Sequence, residues 1–445
     1  MTDTLNILAD LIAAAKKGGA DAADAIAVEA TSRGVSWREG RLEDVEGSEG
    51  EDIGLRVLIG RRQAIVSTSD RRPESLKAMV ARTLDMARAV PEDEFCGLAP
   101  EELLLKGPAP ALDLHDPTEI SAERLGEMAA EAEAAARGVA GVTNSDGGGA
   151  SAGSYAVTLM TSHGFAGAYR GTSFSASVSA VAGTGTGMER DYDFTSARHY
   201  ADLKGMADVG RKAGEQAVAR LGAAKLKSGS MTIIFSPRVS NSLVGHLTGA
   251  ITGTAVARGT SFLKDQKGKP VFAPGVNIFD DPLIVRGLKS RPFDGEGLAV
   301  GKKALIEDGV LTGWLHNAAS ARQLKESLTG HASRGTSGPP GIATSNLYLA
   351  PGALSPEELM ADITDGFYVT ELIGMGVNGV TGDYSRGASG FRIRNGQIEG
   401  AVNEVTIASN LKEMFRRMVV ASDLEFRYAV NAPTVRIDGM TVAGA

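Results

Sequence analysis

The sequence predicts an α+β protein of two domains, built mainly of antiparallel sheets with packed helices. Three observations predict it. The chain has 445 residues, more than one hydrophobic core usually spans. Its 56 glycines, against 16 prolines, sit largely in Ser/Ala/Thr-rich stretches of period two, the texture of strands broken by turns and bulges. Between those stretches lie segments of helical period with start and stop signals of their own. Residues 222–231, "GAAKLKSGSM", are short, polar and carry Gly and Ser. They read as a junction between an N-terminal α+β domain over residues 1–222 and a C-terminal one over residues 230–445.

The first element is an amphipathic helix, with Leu5, Leu8, Ile12 and Ala15 at helical spacing and no signal-peptide pattern around them. Strands follow in "DAIAVEATSRGVSWREGRLEDVEG", expected to turn at Gly34 and Gly40, and in "IGLRVLIGRRQAIVSTSD". A helix is expected over residues 73–90, with Leu76, Met79, Val80, Leu84 and Met86 near one face. "PEDEFCGLAP" reads as a loop. Asp116-Pro117-Thr118-Glu119 has the form of a capping box, predicting a helix from there to about Gly138. Residues 142–197 alternate between Gly breaks, as antiparallel strands do, and a helix over 206–221 closes this half.

The second half opens with the strand "MTIIF" and a helix started by Ser236-Pro237. Asp308-Gly309 and Asn395-Gly396 are two-residue hairpin signals. Ser355-Pro356-Glu357-Glu358 is a capping box for a helix to about Ile363, and "SNLKEMFRRMVV" reads as one more helix.

Composition excludes several functions. The net charge is −8 and no Lys/Arg block offers a stripe for phosphates, so nucleic-acid binding is not expected. The acidic run over residues 39–52 reads as a solvated hairpin edge. One cysteine, Cys96, allows no disulfide framework or thiolate cluster within the chain. No apolar run approaches the roughly 18 residues that cross a bilayer, and a cytoplasmic protein with no membrane partner is expected.

The usual catalytic signatures are mostly missing. "GTGTG" over residues 183–187 is followed by "MERDYDF", not by a helix that could hold a phosphate. "DYSRG" over residues 383–387 only loosely matches a nucleophile elbow, leaving a weak hydrolase reading on Asp383, Ser385 or His331. The six histidines, His115, His163, His199, His246, His316 and His331, include no two within a helical turn. His246 lies in the helix after Ser236-Pro237, near the face of Val239, Leu243, Leu247, Ala250 and Ile251, while Asn241 points elsewhere. A metal helix would need two imidazoles to converge. Positions five apart differ by about 140° around a regular helix, so such a pair works only where the helix is rewound, for which Gly245 is placed.

"NSLVGHLTGAITGTAVARGTSFL" resembles the TldD/PmbA family of peptidase subunits. "SHGFAGAYRGTSFSASVSAVA", "MERDYDFTSAR", "RPFDGEGL", "DGVLTGWL", "LTGHASRG", "GVNGVTGDYSRGASGF" and "EVTIASNLKEMF" look like its PmbA (TldE) branch, over nearly the whole chain. In TldD-type members the helix carries an HExxxH zinc motif. By that resemblance the first ligand falls on Asn241, the general base on Ser242 and the second ligand on His246. A further ligand, a Cys near the C-terminus, has no counterpart in "SDLEFRYAVNAPTVRIDGMTVAGA". These positions are a degenerate metal motif, with no catalytic residue and no metal expected in this chain. Asn and Ser suit neither role: a neutral amide is a poor zinc ligand, and a hydroxyl is no base near neutral pH.

The resemblance implies a TldE/PmbA-type subunit of a TldD/TldE-like zinc metalloprotease that cleaves unfolded peptides. Zinc is expected in the TldD-type partner of the heterodimer, and a homodimer is expected when the chain is isolated. The glycine-rich stretch offers candidate peptide contacts at Gly376, Gly382, Asp383, Ser385 and Arg386, where backbone could approach closely, although these glycines equally suit turns and sheet packing. The alternative is a stand-alone homodimeric peptide-binding or regulatory protein without proteolytic activity.

Overall fold

The computed structural model describes residues 2–444 and is α+β. Helix α1 (Thr2–Lys17) precedes the strands β1 (Ala22–Arg38), β2 (Arg41–Ile59) and β3 (Arg62–Thr68). Helices α2 (Pro73–Ala89) and α3 (Ala122–Arg137) follow, then β4 (Val142–Thr161), β5 (Ala166–Ala182), β6 (Glu189–Ala197) and α4 (Met206–Ala219). The six strands form one antiparallel sheet in the order β3-β2-β1-β4-β5-β6. Helices α1 and α2 bury Leu8, Leu11, Ile12, Met79, Val80 and Leu84 against Ala25, Ile53 and Leu55 of the sheet. Helices α3 and α4 cover its other end through Leu125, Met128, Val209 and Ala213.

The second half contributes β7 (Gly229–Phe235), α5 (Pro237–Ala250), α6 (Gly253–Ala257), β8 (Ile278–Asp281), β9 (Lys303–Glu307), β10 (Val310–Leu311) and α7 (Ala318–Leu324). Next come β11 (Ala332–Ser333), β12 (Gly341–Ile342), β13 (Asn346–Leu349), α8 (Pro356–Met360), β14 (Asp365–Ile373), β15 (Asp383–Arg394) and β16 (Gln397–Asn410). The chain ends with α9 (Leu411–Arg416), β17 (Val419–Val420), β18 (Val430–Asn431) and β19 (Val435–Ala443). One sheet runs β16-β15-β14-β7-β19-β17, and a further pairing of β16 with β19 closes it on itself, which leaves fewer open edges. A second runs β10-β9-β8-β13-β18. Helix α5 touches β7 and β14 of the first and β13 and β18 of the second. It is packed on both sides, and Val239, Leu243, Val244 and Leu247 join the largest core cluster.

Several local expectations hold, for local reasons. Asp308-Gly309 and Asn395-Gly396 take positive φ at both residues and turn their hairpins. Ser355 and Glu358 form the reciprocal capping box, although α8 stops at Met360. The acidic run lies on the exposed half of β2, beyond the reach of the short β3.

Four expectations fail. Gly34 makes no turn: β1 continues through it, paired to Glu46 on one side and Ser151 on the other, and the chain turns only at Glu39-Gly40. No helix starts at Asp116. Its carboxylate instead accepts from the Thr118 backbone N–H and hydroxyl and from the Tyr200 N–H, and α3 begins at Ala122 with Ser121 as its cap. Met86 faces solvent, because the buried stripe of α2 runs Met79, Val80, Thr83, Leu84, Ala87. The last helix ends at Arg416, since Val419 and Val420 are drawn into pairing with β19.

Buried ion pairs join the two halves. Asp24 of β1 binds both Arg56 and Arg334, the latter at 2.8 Å, and all three side chains are almost fully buried. The carbonyl of Thr336 sits so close over Gly54 that a Cβ there would lie 2.1 Å from it, so only glycine fits.

Candidate functional site

Helix α5 begins where β7 ends. Ser236 adopts the extended N-cap conformation and Pro237 the first helical position, where its missing N–H costs nothing. The helix then runs without interruption to Ala250, so Gly245 introduces no rewound turn. Asn241 and His246 therefore stay about 140° apart around the axis. Asn241 and Ser242 are half-buried, and the Ser242 hydroxyl donates to the Val239 carbonyl at 2.6 Å, spending its hydrogen on the helix itself.

His246 faces β15. Its ring meets that of Tyr384 edge-to-face, with centroids 6.1 Å apart. The His246 Nε2 and the Tyr384 hydroxyl are buried without a protein hydrogen-bond partner. Burial first, and the Arg386 guanidinium second, hold the imidazole below its ordinary pKa, so it is neutral near pH 7. Burial pushes the Tyr384 phenol well above its ordinary value. The C-terminal segment crosses α5 a turn and a half earlier, where the Ser240 hydroxyl donates to the Pro433 carbonyl at 2.8 Å.

The donors do not fit a zinc ion. Its motif positions offer one imidazole, one amide and one hydroxyl already engaged in the helix. Tyr384 and Arg386, the neighbours of His246, add a protonated phenol and a cation. Among the described residues no group of three or more His, Cys, Asp or Glu side chains is placed to hold a metal.

The structure brings part of the glycine-rich stretch to this helix. Alternation along β15 turns Tyr384 and Ala388 into the core and leaves Asp383 and Ser385 exposed on the other face. Arg386 belongs with the His246 face. Beyond the end of β14 the edge of β15 is occupied by its own chain. Gly376 O accepts from Ser385 N at 2.7 Å, and Asn378 N donates to Asp383 O at 2.8 Å. A Cβ at Gly376 would lie 1.8 Å from the Ser385 carbonyl, so the close backbone approach seen at this glycine is internal. Gly382 takes φ +87° against Phe262 and Asn410. The Asp383 carboxylate accepts from Thr381 and Asn410, which hold it below its ordinary pKa. The loop tip leaves Ile373, Met375 and Val380 exposed. The hydrolase reading is not assembled: His331 is buried and bound to Asp280 at 3.2 Å, while Ser385 is exposed on its strand.

Three family models match the chain: PmbA/TldA metallopeptidase domain 1 over residues 23–87, the central domain over 115–221 and the C-terminal domain over 228–444. The chain belongs to the PmbA/TldD metallopeptidase family. It is 38% identical over 430 residues to Metalloprotease PmbA of Escherichia coli O157:H7, covering 96% of this chain and 93% of that one. It is 33% identical to the Metalloprotease PmbA homolog of Haemophilus influenzae, covering 97% and 94%. The crystal structure of TldE from Thermococcus kodakarensis superposes with a TM-score of 0.88 at 20% identity, covering 98% of this chain and all of that one, which shows a shared fold.

Placed on this PmbA/TldD-family chain, the long resembling stretches do structural work. "RPFDGEGL" supplies the buried Asp294 and Glu296, and "LTGHASRG" supplies the buried His331 together with Arg334, whose side chain is buried against Asp24. Tyr384, the partner of His246, lies within "GVNGVTGDYSRGASGF", but its orientation toward α5 has no local signature. Sequence reasoning missed it, along with a second cluster in which Asp191 binds Arg220 and Arg238, and Asp193 binds Arg427.

Proposed function

We infer that this chain is the TldE/PmbA-type, non-catalytic subunit of a TldD/TldE-like metalloprotease that cleaves unfolded peptides. It pairs with a TldD-type subunit that carries the zinc. The observation that carries this reading is the state of α5. The helix keeps its fold and its packing between two sheets, but Asn241 and Ser242 stand where a ligand and a base are required, and the remaining imidazole meets a phenol and an arginine. Exposed Ile373, Met375 and Val380 beside it supply the apolar surface that an interaction with another chain uses.

The test compares the purified chain, a TldD-type subunit from the same host, and the two together, on an unfolded substrate such as casein. Cleavage should appear with the pair, be abolished by a chelator, and be absent with this chain alone. Metal analysis should find zinc in the pair and none held stoichiometrically by this chain. Chelator-sensitive cleavage and one zinc per chain in the isolated protein would falsify the assignment.

A further inference from the structure

A cavity of about 330 Å³ opens at the far end of α5 from His246. It lies between the β6 edge, the C-terminal half of α4, the first turn of α5, strands β14 and β15 and the segment over residues 425–432. Its size is at the lower end of the range for small-molecule sites. No motif in the sequence points to it, because its walls come from six segments distant along the chain.

The walls are aromatic. Tyr192, Phe194, Tyr368, Phe391 and Tyr428 line it, and the Phe194 and Tyr428 rings meet at 5.4 Å between centroids. Two guanidinium groups stack on this lining, Arg238 at 3.9 Å from the Tyr192 centroid and Arg427 at 4.5 Å from that of Phe194. Both are already paired, Arg238 with Asp191 and Arg427 with Asp193, and both carboxylates are buried. With both guanidinium charges already offset by buried carboxylates, a phosphate would meet as much repulsion as attraction, which argues against a nucleotide. At the rim, Glu425 is paired with Lys204 at 2.6 Å, and Lys212 is exposed to solvent. The carboxylates of the lining, Asp191, Asp193 and Glu425, balance its cations, Lys212, Arg238 and Arg427, so the charge balance suits a neutral ligand.

Besides the Arg427 Nε, two hydroxyls of the lining are left without partners. Ser236 is 5% exposed, and its Oγ, like the Oγ1 of Thr370, has no hydrogen-bond partner. Ser236 is also the N-cap of α5 without a side-chain capping bond. A buried hydroxyl without a partner is costly. A ligand that fills the aromatic walls and ends in a group able to donate and accept would satisfy them.

We propose that this cavity binds an aromatic side chain with a polar tip, a tyrosine-type phenol carried between neutral amides of an extended peptide. The ring packs edge-to-face within the lining, and its hydroxyl exchanges hydrogen bonds with Ser236 and Thr370. The pocket is formed entirely within this chain and does not depend on the subunit role inferred above.

The test uses ligand-observed NMR on the full chain with N-acetyl-L-tyrosinamide, its phenylalanine and leucine counterparts, and free L-tyrosine. The tyrosinamide should bind, and about 10-fold more tightly than the phenylalaninamide if one hydrogen bond is recovered. It should also bind more tightly than free tyrosine, which brings two charges the pocket does not address. Ala219→Phe, which fills the cavity from α4, should abolish binding. The double variant Ser236→Ala with Thr370→Val should retain binding but lose the preference for tyrosine, at unchanged circular dichroism. The double variant keeps the test decisive if Ala219→Phe does not fold. No binding of any aromatic amide at millimolar concentration, a tyrosine preference that survives the double variant, or equal affinity for free tyrosine would each overturn the proposal. None of these results depends on zinc or on a second subunit, so they leave the peptidase assignment to its own test.

Discussion

Glu296 gives the most quantitative test of a buried charge in the second half of the chain. Its side chain is buried, its Oε2 accepts the Ala318 N–H at 2.8 Å, and burial, then the neighbouring charge of Asp294, push its pKa up to about 7 from 4.5. In the unfolded chain the carboxyl loses its proton near 4.5. Between that value and about 7 the folded protein retains a proton that the unfolded chain has released. Stability therefore falls as pH rises through this window, and the loss is complete above it. The gap between 4.5 and about 7, at about 1.4 kcal/mol for each pH unit, amounts to about 3 kcal/mol. Glu296→Gln keeps an acceptor for Ala318 and cannot ionise. Urea titrations of wild type and variant from about pH 4 to pH 8 should show the variant gaining about 3 kcal/mol relative to wild type between the ends of that range. A stability difference that stays constant with pH would refute the reasoning and place the Glu296 charge in a better-solvated setting.

Four further predictions concern the seam and the helix. Asp24→Ala leaves Arg56 and Arg334 buried without their carboxylate and should cost about 3–5 kcal/mol by chemical denaturation. Gly376→Ala cannot fit against the Ser385 carbonyl, so hydrogen exchange of Ser385 and Asn378 should accelerate at least about tenfold as the loop detaches. Arg386→Gln removes a cation near His246, so the imidazole pKa measured by NMR should rise but stay below its ordinary value, because burial is the larger cause. Asn241→His should not create a tight zinc site. The two imidazoles would stand about 140° apart on an unbroken helix, and metal retained after dialysis should stay far below one ion per chain.

The hairpins at Asp308-Gly309 and Asn395-Gly396, the cap at Ser355 and the start of α5 at Ser236-Pro237 were legible because each depends on residues within a turn of one another. The helix that carries positions 241, 242 and 246 was legible for the same reason, its start being marked by Ser236-Pro237. Gly34 and Asp116 misled because the same residue types serve other geometries. Glycine also fits a long strand paired on both sides, and an aspartate can bind Tyr200, 84 residues away, rather than the turn that follows it.

By itself, then, the sequence determined the α+β class, the starts of elements with strong local signals, and the residue types at 241, 242 and 246 of α5, since each follows from local spacing or is read directly from the chain. Only the tertiary structure decided that Tyr384 and Arg386 face His246, that the loop at Gly376 covers the edge of β15, and that Arg334 reaches Asp24 across 310 residues. It alone assembled the aromatic cavity below Ser236. Contacts of that kind depend on which faces the sheets turn toward one another, and long-range packing sets that orientation without leaving a periodic mark along the chain.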